Sequence, residues 1–331
     1  MRASKLGGSG TRRMGASMVI SEGLQSRTAQ RLAAAAALVT FTLVAAPGLM
    51  TAPSVSFAVR GAPTEHAPAD ARPASGYDVP RSAELLVAAY SGLPYTHPSA
   101  ATVTRPDGST FTAHDIDWLT KPWINPVYYG VRVAGWSGST PFGAMLDFTH
   151  SKAIATLDNE ERFEGSKDGT AVPPQAKLGQ VFRRLEFSHG HNILTLNGLY
   201  RLPFGSARVK PYIGVGVGVN LPHTEIWLEG DEKRTYEYQL AGPATQALVG
   251  IELRLPRATS LFLEYKFSFS WYRAPMTGRD GGWLYEDLWR QLTEEQSNKP
   301  PLDGVLRTEL ATHQVVGGLG IRIGGNSVAA P

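Results

Sequence analysis

Residues 191–225 read HNILTLNGLYRLPFGSARVKPYIGVGVGVNLPHTE, and their alternation decides the fold. Leu194, Leu196 and Tyr200 fall on one face of a first strand, with Thr195, Asn197 and Arg201 on the other. After a short turn at 203–210, Ile213, Val215, Val217 and Val219 share a face opposite Gly214, Gly216, Gly218 and Asn220. A period of two identifies strands. One continuously apolar face and one small or polar face require apolar surroundings outside and a polar interior, as in a transmembrane barrel.

The pattern recurs outward from this hairpin. Further strands are predicted at 82–92, 124–136, 142–153, 236–255, 261–272 and 308–323. In the clearest of them, Leu261, Leu263, Tyr265, Phe267 and Phe269 oppose Glu264, Lys266, Ser268 and Ser270. Short connections at 137–141, 204–207 and 256–260 alternate with long ones at 93–123, 156–189 and 273–307 and an intermediate one at 222–235. The predicted fold is all-β, an eight-stranded antiparallel transmembrane β-barrel with short periplasmic turns and long external loops. A soluble sandwich would bury its apolar face and would not need this asymmetry.

Eight strands enclose only enough space for side chains. Inward charges must therefore pair, Glu84, Asp147, Glu252 and Glu264 against Arg132, Arg254, Lys266 and Arg322. Tyr128, Tyr129, Tyr236, Tyr238, Trp271 and Tyr272 are expected in an outer aromatic belt, and Trp136, Tyr200 and Tyr212 in an inner one. Leu284, Leu288 and Leu292 have helical spacing, with Trp283 and Trp289 alongside. A lid touching lipid and a cap over the barrel mouth both fit that segment.

Composition narrows the alternatives. Only 18% of the 331 residues are charged, yet no apolar run after residue 50 approaches the ~20 residues of a membrane helix. The net charge of +3 is too small and dispersed to argue for nucleic acid. The absence of cysteine excludes a disulfide framework and thiolate chemistry. Arg12, Arg13, Arg27 and Arg31 precede the apolar segment Leu32–Ala46, and Ser56-Phe57-Ala58 fits a cleavage site. The organisation read from these features is a signal peptide at 1–58, a disordered periplasmic lead-in at 59–81, the barrel at 82–324 and a tail at 325–331, with delivery to the bacterial outer membrane.

Five of the eight histidines, His150, His189, His191, His223 and His313, fall at or beyond external strand ends. His189 and His191, and likewise His223 and Glu225, share a face if extended, a spacing that suits a divalent metal or an acid–base pair. The bland alternative is a polar rim, which collects such residues in any barrel. Gly214, Gly216 and Gly218 have strand periodicity and no following helix, so they form no dinucleotide fingerprint, and no flavin motif is visible. His150-Ser151 and Ser188-His189 are adjacent, which points them to opposite faces and disfavours a hydrolytic pair.

Several words in the chain resemble those of the lipid A oxidases of rhizobial outer membranes. They are Tyr128-Tyr129-Gly130, Leu146–Ala153, Leu185-Glu186-Phe187, Asn192–Arg201, Pro222-His223-Thr224-Glu225, Tyr236–Gln239 with Gly242-Pro243-Ala244, and Glu264–Ser268. The likeness runs with gaps from Ser82 to Gly324. It departs at Ser188–His191, where the family pattern has an acidic residue near His189, and at the insert Arg273–Arg307. The resemblance implies an oxidoreductase converting the proximal glucosamine of lipid A to 2-aminogluconate with O2 as cosubstrate. Taken with rim position, it implies a divalent metal on His191, His223 and Glu225, and Glu186, Glu237 and His150 as catalytic candidates. Lys152 and Lys266 would hold phosphates, and Asn192 and Gln239 would bind the remainder of the substrate. The implied partner is lipid A or lipopolysaccharide in the outer leaflet, met by a monomer. A non-enzymatic OmpA-like or porin-like surface barrel and a lipid A deacylase are the competing readings.

Overall fold

The computed structural model describes residues 83–296 and 303–324. The predicted signal peptide, lead-in and tail lie outside the described residues. The chain is an antiparallel all-β structure with fourteen strands, one α-helix and one 3-10 turn (Leu178–Gln180) among those residues. The strands are β1 (Glu84–Thr104), β2 (Thr110–Leu119), β3 (Tyr129–Trp136), β4 (Phe142–Ala155), β5 (Glu160–Lys167), β6 (Thr170–Ala171) and β7 (Gln175–Lys177), then β8 (Phe182–Arg201), β9 (Val209–Asn220), β10 (His223–Leu228), β11 (Thr235–Tyr238), β12 (Gly242–Arg254), β13 (Thr259–Met276) and β14 (Gly304–Gly324). Helix α1 (Leu284–Gln296) lies between the last two strands.

The hairpin within residues 191–225 belongs to β8–β9, paired from Ile193↔Asn220 to Arg201↔Tyr212. From it the partners run β9–β12, β12–β13, β13–β14, β14–β1, β1–β3 and β3–β4, and β4 pairs back onto β8. Alternate residues along this circuit are buried and exposed, as the pleat requires. The exposed set is apolar: Val215 is 69% exposed, Val217 68%, Leu263 62% and Ile321 63%.

The long connections are largely not loops. Beyond the circuit's upper end the sheet continues, with β2 paired to the far half of β1 and β5 to β2. On the other side β10 pairs with the start of β8 and β11 with β10. The predicted loop 93–123 is thus a hairpin turning at Pro106-Asp107-Gly108, where Gly108 has φ +93° and the Arg105 amide donates to Ser109 O at 2.9 Å. The predicted loop 156–189 holds a second hairpin, turning at Asp168-Gly169 with both residues at positive φ. The predicted strand 236–255 is two strands, broken before Gly242. That glycine has φ +139°, and a Cβ there would stand 2.3 Å from Trp271 O.

The interior has two storeys. At the short-turn end it is ionic. Arg132 grips Glu264 at 2.8 and 2.9 Å and reaches Asp147 at 3.1 Å, while Lys266 meets Asp147 at 3.0 Å. Below them Glu84 accepts from Arg201 at 2.7 Å and from Arg254 at 2.5 Å. The predicted charge pairing is seen for all but one residue. Arg322 bonds Leu255 O, Thr259 O and Ser260 Oγ, and Arg201 takes the carboxylate place assigned to it. At the extended end the interior is apolar, built on Phe111, Phe163, Phe182, Phe187, Leu306 and Leu310.

The aromatic expectation holds on only part of the surface. Tyr129 and Trp271 are exposed, whereas Tyr128, Tyr272, Trp136 and Tyr212 are buried. Inside, the Tyr212 hydroxyl donates to Glu264 at 2.7 Å, and the Arg201 guanidinium lies 4.0 Å from the Trp136 ring centre. A buried hydroxyl or π face has a use in an ionic interior that outweighs a place at the surface.

Candidate functional site

Above the apolar band, the outward faces of β4, β8 and β10 carry polar side chains instead of aliphatic ones. His150 follows Leu146 and Phe148 on the outward face of β4, and register pairs it with Asn192 of β8. Its ring stacks on Tyr129, centroids 4.9 Å apart and planes 21° apart. His150 Nδ1 lies 2.8 Å from Asn192 Oδ1, while Asn192 Nδ2 donates to Leu221 O at 3.0 Å. The amide nitrogen is committed, so Oδ1 must accept and Nδ1 must carry the proton. That tautomer leaves a lone pair on Nε2, which is buried and has no partner.

His150 lines the top of a groove of about 1170 Å³. The floor is the apolar wall of the circuit, including Val87, Val131, Leu146, Phe148 and Leu194. Asn125 and Pro126 overhang it from one side, and Tyr238 and Leu284 of α1 from the other. Close by, Lys152 Nζ donates to Ile124 O at 2.7 Å.

Beside the groove, Glu186 and Glu225 face each other across β8 and β10. Burial raises the Glu186 carboxyl above the ordinary range, and Glu225 at its side raises it further. Arg234 meets Glu225 at 2.9 Å, and Arg184 lies 3.6 Å from Glu186. His223 is enclosed by Tyr236, Tyr238 and His189, ring centres 4.3, 4.6 and 5.2 Å away. Burial above all, and His189 after it, hold the His223 imidazole down at about 4. It is therefore neutral near pH 7.

Two expected groupings are not formed. His191 lies on the inward face of β8, fully buried, its Nδ1 hydrogen-bonded to the Tyr272 hydroxyl. His223 and Glu225 lie on the opposite, outward side, alternating with inward Thr224 and Ile226. The trio thus does not gather around one ion, and no cluster of three His, Asp or Glu fit for a metal occurs among the described residues. His189 and His191 do not share a face, because a register shift at Gly190, φ +149°, turns His189 outward.

Glu237 and Gln239 also turn away from the groove. Glu237 accepts from Thr277 at 2.7 Å and from Gln239 at 3.2 Å, with Arg279 at 3.5 Å. Lys266 is fully buried in the ionic storey, where it cannot meet a lipid phosphate. Of the expected residues, His150, Asn192 and Lys152 stand together at the groove, with Glu186, Glu225 and His223 beside them. The sequence reading missed Arg234, for which no signal exists, and the overhang at Asn125-Pro126.

No family model matches the chain, and no curated protein matches it. Among solved structures it is similar to Neisserial surface protein A, at 9% identity and a TM-score of 0.30, over 72% of this chain and 96% of that one. Among the described residues no helix is long and apolar enough to cross a membrane, which leaves strands free to do so.

Proposed function

We propose that the circuit of paired strands is an eight-stranded barrel spanning the bacterial outer membrane, with its extended end outside, and that it oxidises lipid A at that rim. The apolar exposed faces of its strands suit a lipid surround, and the filled ionic interior suits a barrel that is not a pore. The observation that carries the enzymatic reading is His150 Nε2, an unpartnered base at the head of an apolar groove. A lipid whose chains lie along that wall brings its sugar to this level.

In this reading His150 takes the proton of the glucosamine lactol hydroxyl as the C1–H bond gives up two electrons. Dioxygen receives them and leaves as hydrogen peroxide, and water opens the resulting lactone to the aminogluconate. Asn192 fixes the His150 tautomer, and Lys152 supplies positive charge for a lipid phosphate. The set His191, His223 and Glu225 does not fit a metal, and no step here depends on it.

Mass spectrometry of lipid A from cells with and without the protein tests the reading. A species one oxygen heavier, lost in His150→Gln while the barrel still folds, supports it. Loss of an acyl chain would instead mean a deacylase, and an unchanged lipid A a non-enzymatic barrel.

A further inference from the structure

Two clusters of large apolar side chains stand exposed at the groove's mouth, above the strand faces that meet lipid. On one side Trp123 is 63% exposed, Ile124 59% and Val127 44%. On the other Trp283 is 73% exposed, Tyr285 66% and Trp289 61%. They belong to separate connections, and neighbours of each, Asn125 and Pro126 for the first and Leu284 for the second, line one groove. Indoles left in water in this number lose the hydrophobic stabilisation that burial gives, so such patches mark an interaction surface.

Helix α1 shows which surface. In a helix lying on a protein in water, apolar residues turn inward and charges outward. Here Leu288 and Leu292 do rest on Val219, Leu221 and Leu240. Yet Asp287 is also turned inward, accepting from the amides of Tyr238 and Gly282 at 3.0 and 3.1 Å. Glu294 is engaged by Arg279 at 2.5 Å. The outward side carries Tyr285 and Trp289 beside Glu286, which accepts from the Tyr285 hydroxyl, and Thr293, with Trp283 at the N-terminal end. Ring-bearing, amphipathic side chains of this kind sit at the boundary of headgroups and acyl chains. Val219, under α1, continues the lipid-facing stripe of Val215 and Val217, which fixes the helix at the upper edge of that stripe. On the opposite lip, exposed Lys121 adds positive charge toward anionic headgroups.

We infer that the 121–128 segment and α1 are two lips seated in the headgroup layer of the outer leaflet, opening the groove sideways to membrane lipid. This rests on the membrane placement proposed above and not on the oxidase chemistry. A lipid then reaches His150 by lateral movement, without leaving the bilayer.

The test uses the full chain refolded into vesicles of phosphatidylcholine carrying bromine either near the headgroup or at the bilayer centre. Spectra of Trp123→Phe and of Trp283→Phe/Trp289→Phe are subtracted from that of the parent, leaving the emission of the lips. Trp118, Trp136, Trp227 and Trp271 remain, and the difference spectrum of Trp271→Phe isolates Trp271, 40% exposed on the outward face of β13, as an internal reference. Heat-shifted gel migration confirms folding of each variant. Shallow bromine is expected to remove roughly half or more of the lip emission and deep bromine far less, the depth profile of an interfacial ring. Lip emission that neither lipid quenches, with Trp271 quenched, would overturn the lips alone. Absence of quenching for every tryptophan would overturn the membrane placement and the lips with it. Quenched lips in a protein that leaves lipid A unchanged would uphold this inference while refuting the oxidase.

Discussion

Replacing Glu264 by Leu should severely destabilise the ionic storey of the circuit. Arg132 and Lys266 face Asp147 and Glu264, two positive charges against two negative, at 0–2% side-chain exposure. Without Glu264, Arg132 keeps one ion pair, to an Asp147 already shared with Lys266, beside the Tyr90 and Phe262 rings, and the Tyr212 hydroxyl loses its acceptor. Stranding one member of a buried pair costs about 3–5 kcal/mol, and an unmet buried hydroxyl adds about 1–3 kcal/mol. The double variant Arg132→Met/Glu264→Leu restores the charge balance and should recover most of that loss, because the stranded charge is the larger part of it. Urea titration of protein refolded in vesicles, followed by tryptophan emission and gel migration, measures both. A single-variant cost under about 1 kcal/mol, the range of an exposed pair, would refute the view that this interior is dry. So would a double variant as unstable as the two single changes summed.

Other outcomes follow from the same structure. Leu263→Arg puts a charge on an exposed apolar position that the proposed placement turns to lipid, and should cost about 2–4 kcal/mol at mid-bilayer, read in the same titration; a tolerated arginine would refute the assigned face. Gly218→Ala should abolish refolding, because its Cβ would stand 1.9 Å from Leu194 O and 2.7 Å from Thr195 Cα, whereas Gly317→Ala meets nothing nearer than 3.9 Å and should fold normally. His223, held down at about 4 from an ordinary 6.5, stays neutral in the folded β10–β11 hairpin while the unfolded segment takes up a proton. Its contribution is therefore complete above pH 6.5 and is lost as the pH falls toward 4. Protection against amide exchange in residues 223–238, taken relative to the intrinsic rate at each pH, should fall across that window, and His223→Phe should flatten the change.

Much of this was legible because strand parity needs only counting. The faces of β8, β9 and β13 were assigned from alternation alone, and so were most of the partners within the ionic storey. Parity carries more than the faces of single strands. His191 has the parity of inward Thr195 and Asn197, while His223 and Glu225 continue the outward parity of Val217 and Val219. The proposed metal trio was thus already split between two faces. By the same count His150 and Asn192 were outward neighbours of Phe148 and Leu194.

The continuation of the sheet was hidden by Pro94 and Pro98, which read as loop. Pro106-Asp107-Gly108 and Asp168-Gly169 were turn signals that argued otherwise. The bulge at Gly190 was not readable, since whether that glycine turns the chain depends on how many residues β4 offers opposite. Helix α1 was visible in its leucine spacing, but its tilt of polarity was not. That depends on Asp287 finding two backbone amides to bond.

The change of interior from paired ions to apolar rings also fixes what the molecule is electrically. An ion rising from the short-turn end leaves matched partners and meets Phe111, Phe163, Phe182 and Leu306, which replace none of its hydration. The axis is an insulator. In the membrane placement proposed above, a cell could carry many copies without leaking solutes through them.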